Sequence, residues 1–183
     1  MKSKSKETAF RPPYLFSIDP GLHRAGWAFW RIREGKKKPG ELLSFGLITT
    51  KDIDVTGWPL RALYMSNRIY NKCNSVLPRP TMQVTMVSEM PMEFGGQKGE
   101  VALKGGSVRK LAYMVGFLGG RCAQGGWDWE TVTPLKWKGQ LPKHITLKRV
   151  CRRYKNVPRD TDDNVVDAIG IGHWFLQQKY GAK

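Results

Sequence analysis

The amino-acid sequence predicts an α/β fold built on one mixed β-sheet. Three short apolar runs come first and are joined by short turns, which is typical of an antiparallel meander. Helical and strand patterns then alternate to the end of the chain, and this order is typical of α/β proteins. The 183 residues contain no internal repeat and no linker, so we expect a single domain over residues 14–183.

The opening meander places a carboxylate at the end of a strand. Pro20-Gly21 breaks the first apolar run directly after Asp19, so this side chain can face a cleft. An aspartate before a Pro-Gly turn is also a common turn cap, so Asp19 alone does not define a site. The three strands are predicted over residues 14–19, 26–32 and 42–48.

Helices and strands alternate in the rest of the chain. Apolar residues recur at helical spacing over residues 58–77, and Pro78 stops that helix. A fourth strand over residues 81–88 ends at Glu89. A second helix covers residues 107–122, with Gly119-Gly120 ending its regular pattern. The remaining predicted elements are a strand over 129–132, a basic helix over 143–154 and an apolar helix over 160–178.

The charge balance points to a polyanionic partner. Lysine and arginine number 31 against 15 acidic residues, which gives a formal net charge of +16. A field of this sign favours nucleic acid. We find no apolar run long enough to cross a bilayer and no basic amphipathic helix, so a membrane partner is not expected. Residues 1–13 are predicted to form a flexible basic arm.

Cysteine usage and the N-terminus predict a cytosolic protein. The three cysteines are widely spaced and fit neither a disulfide framework nor a zinc site. No apolar signal core follows the basic N-terminus, so secretion is not expected. We therefore expect a cytosolic compartment.

Acidic side chains gather at three places in this basic chain. They are Asp19, Glu89 and the run Asp162-Asp163-Asn164-Val165-Val166-Asp167. The first and fourth strands can lie side by side in a mixed sheet, so their terminal carboxylates can share one edge. Asp163 and Asp167 are four residues apart and share a helix face.

A divalent cation would relieve the repulsion within such a cluster. Mg²⁺ and Mn²⁺ prefer carboxylate oxygen, and a pair of them can stabilise both the attacking water and the leaving oxygen in phosphodiester hydrolysis. The pattern thus predicts a metal-dependent nuclease. Asp162 and Asp163 could instead only cap the last helix, whereas Asp167 lies among apolar residues, where an unpaired carboxylate is costly.

Several motifs follow one another along nearly the whole chain from Tyr14 onward. They are Ile18-Asp19-Pro20-Gly21 with Gly26-Trp27-Ala28, then Val87-Ser88-Glu89, the stretch from Gly106-Ser107-Val108-Arg109 to Gly116, Thr133-Pro134-Leu135-Lys136-Trp137-Lys138, and Asp167-Ala168-Ile169-Gly170-Ile171-Gly172. In this order they resemble RuvC-type Holliday junction resolvases of the RNase H-like superfamily, in particular the phage and bacterial members.

The resemblance implies an RNase H-like fold, a symmetric homodimer and paired Mg²⁺-dependent nicks in a four-way DNA junction. It implies two Mg²⁺ ions per active site, for which Mn²⁺ would substitute. The family usually carries Asp or His three residues before its last Asp, but this chain has Asn164 there. We expect Asp163 to take over that role, with Asn164 as the alternative. The expected catalytic metal ligands are Asp19, Glu89, Asp163 and Asp167.

Basic residues near these carboxylates are candidates for phosphate contacts, which give affinity without sequence choice. Any one of them alone could be an ordinary solvated surface charge. Met92 and Phe94, just after Glu89, are candidate wedges against unstacked bases at a junction centre. The predicted nucleic-acid contacts are Lys98, Lys104, Arg109, Lys110, Lys136, Lys138, Lys143, His144 and Lys148.

Three functions remain open from the sequence. The first is the junction resolvase, and the second is a broader RNase H-like nuclease acting on flaps, branched DNA or RNA–DNA hybrid. The third is a non-catalytic nucleic-acid-binding module. Metal dependence separates the first two from the third, and a panel of substrates separates the first from the second.

Overall fold

The computed structural model describes residues 13–50, 57–79, 81–92 and 106–182. The described strands form one mixed sheet in the order β3-β2-β1-β4-β5. The strands are β1 (Tyr14–Asp19), β2 (Arg24–Ile32), β3 (Gly40–Thr49), β4 (Val84–Glu89) and β5 (Asp128–Val132). The helices are α1 (Trp58–Val76), α2 (Ser107–Gln124), α3 (Pro134–Trp137), α4 (Lys143–Arg153) and α5 (Asp163–Tyr180).

The predicted fold class is confirmed by the pairing of the strands. β1 pairs with β2 and β2 with β3 in antiparallel fashion, which is the expected meander. β4 lies parallel to β1 on its other side, and β5 lies parallel to β4. β2 and β3 extend beyond the predicted limits because their ladder continues to the pairs Arg24–Thr49 and Ile32–Gly40.

Helices cover both faces of the sheet. α1 and α2 pack on one face around Phe16, Ile18 and Met86, whereas α4 and α5 pack on the other around Leu15 and Val87. β1 is the central strand and is buried on both sides, which explains why its apolar residues do not alternate with exposed polar ones. None of the helices in the described ranges combines the length and apolarity that crossing a bilayer requires.

Helix α2 differs from its prediction at its C-terminal end. Gly119-Gly120 does not end the helix, which continues to Gln124 and stops at Gly125. Gly119 instead lets α2 approach β5, because a Cβ there would lie 2.9 Å from the indole nitrogen of Trp129. Gly119, which was predicted to end the regular pattern of a helix reaching residue 122, therefore serves close packing.

The elements between β5 and α5 also differ in detail from the sequence analysis. The short helix α3 was not predicted. The last helix begins at Asp163 rather than at residue 160, because Asp162 is its N-cap and accepts a hydrogen bond from the backbone nitrogen of Asn164 at 3.0 Å. The predicted N-terminal arm lies outside the described residues except for Pro13.

Helix α4 is tied to α5 by a polar contact between two side chains. The Tyr154 hydroxyl lies 3.0 Å from Nδ1 of His173. Burial, assisted by the charge of Arg153, lowers the pKa of His173 to about 4. His173 is thus neutral in the folded protein at pH 5, whereas an ordinary histidine in the unfolded chain is protonated.

We expect His173→Gln to reduce the loss of stability between pH 7 and pH 5. A folded-state pKa below the unfolded value gives stability that is present above the unfolded pKa and is lost as the pH falls towards 4. Urea unfolding should show the wild type losing about 1 kcal/mol more than the variant over this interval. His144→Gln, at an exposed position, is the control and should behave as the wild type. Equal losses in wild type and His173→Gln would contradict this assignment.

Candidate active site

Two strand ends place two carboxylates at the same edge of the sheet. Asp19 is the last residue of β1 and Glu89 is the last residue of β4. The strands are parallel neighbours with Ile18 opposite Ser88, so both chains leave the sheet side by side. The expected adjacency of these two strands is confirmed.

Helix α5 brings a third carboxylate to this edge. The Ser17 hydroxyl donates to the carbonyl oxygen of Ala168 at 2.8 Å and accepts from the indole nitrogen of Trp30 at 3.0 Å. A Cβ at Gly172 would lie 2.5 Å from the Ser17 oxygen, so only glycine permits this close approach. These contacts fix the position of α5 on β1 and β2 and hold the buried Asp167, 6% exposed, next to the strand ends.

The first turn of α5 rests on the start of β2. A Cβ at Gly26 would lie 1.9 Å from the carbonyl oxygen of Asn164, so no side chain fits there. The guanidinium of Arg24 pairs with the Asp162 carboxylate, which anchors the same turn. Because Gly26 is opposite Asp19 in the β1–β2 ladder, this contact also brings the helix start close to the carboxylate edge.

A lysine ammonium lies among the three carboxylates. Lys138 Nζ is 2.8 Å from Oδ2 of Asp167 and 3.9 Å from Oε2 of Glu89. The preceding residue, Trp137, donates its indole N–H to the same Glu89 oxygen at 2.7 Å. Gly170 makes room for this indole, since a Cβ there would lie 2.5 Å from the ring.

The pKa values follow from burial and from the mutual repulsion of the carboxylates. Burial raises the pKa of Asp19 well above its ordinary value, and the charges of Glu89 and Asp167 raise it further. Burial also raises the pKa of Glu89, although the Trp137 hydrogen bond and the Lys138 charge oppose the rise. For Lys138, burial lowers the pKa, but the hydrogen bond and charge of Asp167 outweigh it, so its pKa is raised. The ammonium therefore stays charged and neutralises part of the cluster.

The fourth predicted ligand, Asp163, is more exposed than the other three. The Asp163 side chain is 57% exposed, and its carboxylate lies 3.4 Å from Lys143 Nζ. Asn164 lies one residue further along the first turn and is part-buried. The assignment of the fourth ligand to Asp163, with Asn164 as the alternative, therefore stays a prediction.

The predicted phosphate contacts have different environments. Lys138 was expected to meet phosphate, but its ammonium pairs inside the acidic cluster and only 21% of its side chain is exposed. Lys143 is exposed and pairs with Asp163. Met92 is part-buried, three residues after Glu89. Arg109, Lys136, His144 and Lys148 are exposed and Lys110 is part-buried, whereas Lys98, Lys104 and Phe94 lie outside the described residues.

Sequence reasoning did not assign Trp137 and Gly170 to the site. Trp137 was quoted only as part of a resemblance motif, and Gly170 as part of the last helix. One weak indication in the sequence was Trp137 itself, because a tryptophan next to a lysine in a basic stretch is unusual for a surface turn. The contact between the two residues joins elements far apart in the chain and cannot be derived from spacing.

The carboxylate oxygens of the cluster are chemically suited to bind a hard divalent cation. The Lys138 ammonium, however, already lies between two of these carboxylates. Among the described residues, no three acidic, histidine or cysteine side chains are arranged to hold one metal ion as they stand. Two of the three carboxylates, however, already share one cation, the ammonium of Lys138. Carboxylate oxygens are the ligands that Mg²⁺ prefers, so a metal ion would have to displace this ammonium.

The fold is similar to that of solved Holliday junction resolvases. The structure superimposes on RuvC of Thermus thermophilus with a TM-score of 0.63 at 18% identity, over 91% of this chain and 95% of that chain. The same bacterium's RuvC in complex with a Holliday junction substrate gives 0.62 at 15% identity, over 92% and 96%. The Fowlpox virus resolvase in complex with Holliday junction DNA gives 0.55 at 12% identity, over 90% and 97%.

At these identities the likeness establishes the fold, and the predicted RNase H-like architecture is confirmed. No family model matches the sequence, and no curated protein matches it either. The similarity to these resolvases therefore lies in the fold and is not detected by comparison of whole sequences.

We expect Lys138→Met to lower the melting temperature in chelator and to strengthen the response to Mg²⁺. Without the ammonium the buried carboxylates repel each other, which should cost about 1–3 kcal/mol at this partly exposed site. Added Mg²⁺ should then stabilise the variant more than the wild type, because no ammonium competes for the oxygens. Thermal unfolding with and without Mg²⁺ measures both effects.

The matched control is Lys136→Met, which removes an exposed lysine from the same short helix. It should change neither the melting temperature in chelator nor the response to Mg²⁺. The role given to Lys138 is wrong if both variants melt alike in chelator and respond alike to the metal.

Proposed function

We propose that this protein is a divalent-metal-dependent endonuclease that cuts branched DNA. Within that class we propose a RuvC-type resolvase that makes paired nicks in four-way junctions. The observation that carries the proposal is the convergence of Asp19, Glu89 and Asp167 at one sheet edge of a resolvase fold. The net charge of +16 supports a nucleic-acid substrate, and two of the similar structures are complexes with Holliday junction DNA.

The metal ligands proposed are Asp19, Glu89 and Asp167, with Asp163 or Asn164 completing the set. Two Mg²⁺ ions bound there would supply an activated water and neutralise charge on the phosphate. In the hydrolysis, water oxygen bonds to phosphorus, the bond to one ester oxygen breaks, and that oxygen leaves with a proton. The fold contributes a fixed, largely buried carboxylate frame, which keeps the donors from reorganising.

The neighbours of the cluster have distinct proposed roles. Trp137 orients Glu89 through its hydrogen bond and removes one degree of freedom from that carboxylate. Lys143 lies at the exposed mouth of the site beside Asp163, where its ammonium can bind the phosphate that faces the cluster. His144 and Lys148 follow it on α4 and extend the same positive surface.

We expect metal-dependent nicks in a labelled four-way junction that disappear with chelator. Asp19→Asn and Asp167→Asn should each lower the rate by about 10²–10³-fold or more, because each removes charge from the proposed metal site. Asp160→Asn, at an exposed position on the approach to α5, is the matched control and should cut as the wild type does.

The same assay should include linear duplex, a flap and an RNA–DNA hybrid, with Mg²⁺ and with Mn²⁺. Equal or faster cutting of flap or hybrid would replace the junction resolvase by a broader nuclease. Tight junction binding without cleavage in either metal would leave a binding module and contradict the proposed enzyme.

The proposed homodimer would use the outer face of α1 and α2. Trp58, Tyr113 and Phe117 stack edge to face in succession with ring centroids 5.2 and 4.7 Å apart, and Trp58 and Tyr113 stay 39% and 46% exposed. Tyr113 and Phe117 also line an apolar groove of about 600 Å³, together with Gly116 and Gly120. A symmetric pair of nicks requires two copies of the site, and an isologous contact across this face would supply them.

We expect Gly116→Arg to convert the dimer into a monomer. A Cβ at Gly116 meets no atom within 4 Å in the described structure, so the substitution leaves the monomer's packing intact while it blocks the face. Sedimentation velocity should show half the mass, and cleavage should yield single nicks. Leu135→Arg, at an exposed leucine on α3, is the control and should remain dimeric. A wild type that sediments as a monomer bound to the junction would rule out this interface.

A further inference from the structure

A basic groove lies between α4 and α5 and leads away from the edge of the sheet that carries the carboxylates. We call it the α4–α5 groove; its volume is about 710 Å³. The α5 wall includes Gly170 and Gln177, seven residues apart, which corresponds to a length of about 10 Å. A smaller cavity of about 280 Å³ shares Lys38 and Arg153 with it and continues towards the β2–β3 hairpin.

The charge of the α4–α5 groove is of one sign. Besides the ion-paired Lys138, its walls carry Lys38, Arg149, Arg152 and Arg153, and no carboxylate lines it among the described residues. The described ion pairs engage none of these four cations. Three of the four lie on α4, whose sequence contains no acidic residue. An anion entering the groove would therefore meet cations that are not already neutralised.

The floor of the groove holds a polar atom without a partner. The Thr146 hydroxyl lies in a side chain only 6% exposed and has no hydrogen-bond partner in the described structure. It lines the groove together with the indoles of Trp137 and Trp174. A buried hydroxyl without a partner is uncommon, and a rotation of the Thr146 side chain would let a ligand with polar and aromatic atoms in the groove satisfy it. Phosphate, sugar and base together have this chemistry.

The groove begins at the candidate active site. Lys138 lines the groove and donates to Asp167, and Trp137 lines it and donates to Glu89. The groove and the carboxylate cluster are therefore adjacent, and a strand whose phosphate reaches the carboxylates would have its neighbouring nucleotides close to α4. At B-form spacing of about 3.4 Å per nucleotide, the length of the α5 wall matches roughly three nucleotides.

We propose that the α4–α5 groove binds the DNA strand that continues from the cleaved phosphate. Phosphates lie on Arg149 and Arg153, and one unstacked nucleotide packs on Trp174 and bonds to the Thr146 hydroxyl. Aromatic surfaces combined with a basic track are the usual means of binding single strands. The identity of the strand as part of a branched substrate rests on the proposed function, whereas the binding of nucleic acid in the groove can be measured separately.

The test is fluorescence anisotropy in chelator, with a labelled four-way junction and with an eight-residue oligothymidine. The double variant Arg149→Gln/Arg153→Gln should bind both ligands about 10-fold more weakly than the wild type. The slope of log affinity against log salt should shrink by roughly 1.4–1.8, as expected for two lost phosphate contacts. The control pair Lys72→Gln/Arg79→Gln removes the same charge from the α1 side and should change affinity less than 2-fold.

A second variant tests the groove floor without changing charge. Thr146→Val keeps the side-chain volume and removes a hydroxyl that has no partner within the described residues, so the fold should keep its stability. Oligothymidine binding should weaken about 5-fold, the effect of one lost hydrogen bond.

The outcomes separate this proposal from the proposed function. If the double variant and Thr146→Val bind both ligands as the wild type does, the groove proposal is wrong. That result would not contradict the proposed nuclease function. If the control pair weakens binding as much as the groove pair, the effect is general charge and the groove proposal is again wrong. A wild type that binds neither ligand would contradict the proposed function itself.

Discussion

The arrangement of the candidate site depends on how closely α5 lies on the two central strands. Ser17 bridges the indole of Trp30 and a carbonyl of α5, and glycines at Gly26 and Gly172 remove the side chains that would hold the helix away. Because the helix is held in one register, Asp167 reaches the strand ends where Asp19 and Glu89 lie. A shift by one residue would rotate this carboxylate by about 100° and move it away from the cluster.

This packing concentrates negative charge in a protein that is otherwise strongly basic. Burial raises the pKa of Asp19 and of Glu89, and repulsion among the three carboxylates raises both further. The fold tolerates the cluster because Lys138 places an ammonium inside it. The same feature links stability to the proposed function, since a divalent cation and the ammonium would compete for the same oxygens.

The sequence was sufficient to predict the order of the strands and of the four long helices, the mixed sheet and the positions of Asp19 and Glu89 at strand ends. These follow from local patterns and from turn residues. The inward place of Lys138 and its pairing with Asp167 were not predictable, because a lysine in a basic stretch is normally solvated and only tertiary packing turns it inward. Gly119 was misassigned for the same reason, since its close contact with Trp129 comes from another element.

The central claim is that Asp19, Glu89 and Asp167 form a metal site that Lys138 occupies until the metal binds. Crystals soaked in Mn²⁺, with anomalous diffraction recorded at the manganese edge, test this most directly. The account predicts anomalous density between the three carboxylates and a Lys138 ammonium moved away from Asp167. Crystals that show no such density, with Lys138 still bonded to Asp167 at high Mn²⁺ concentration, would contradict it.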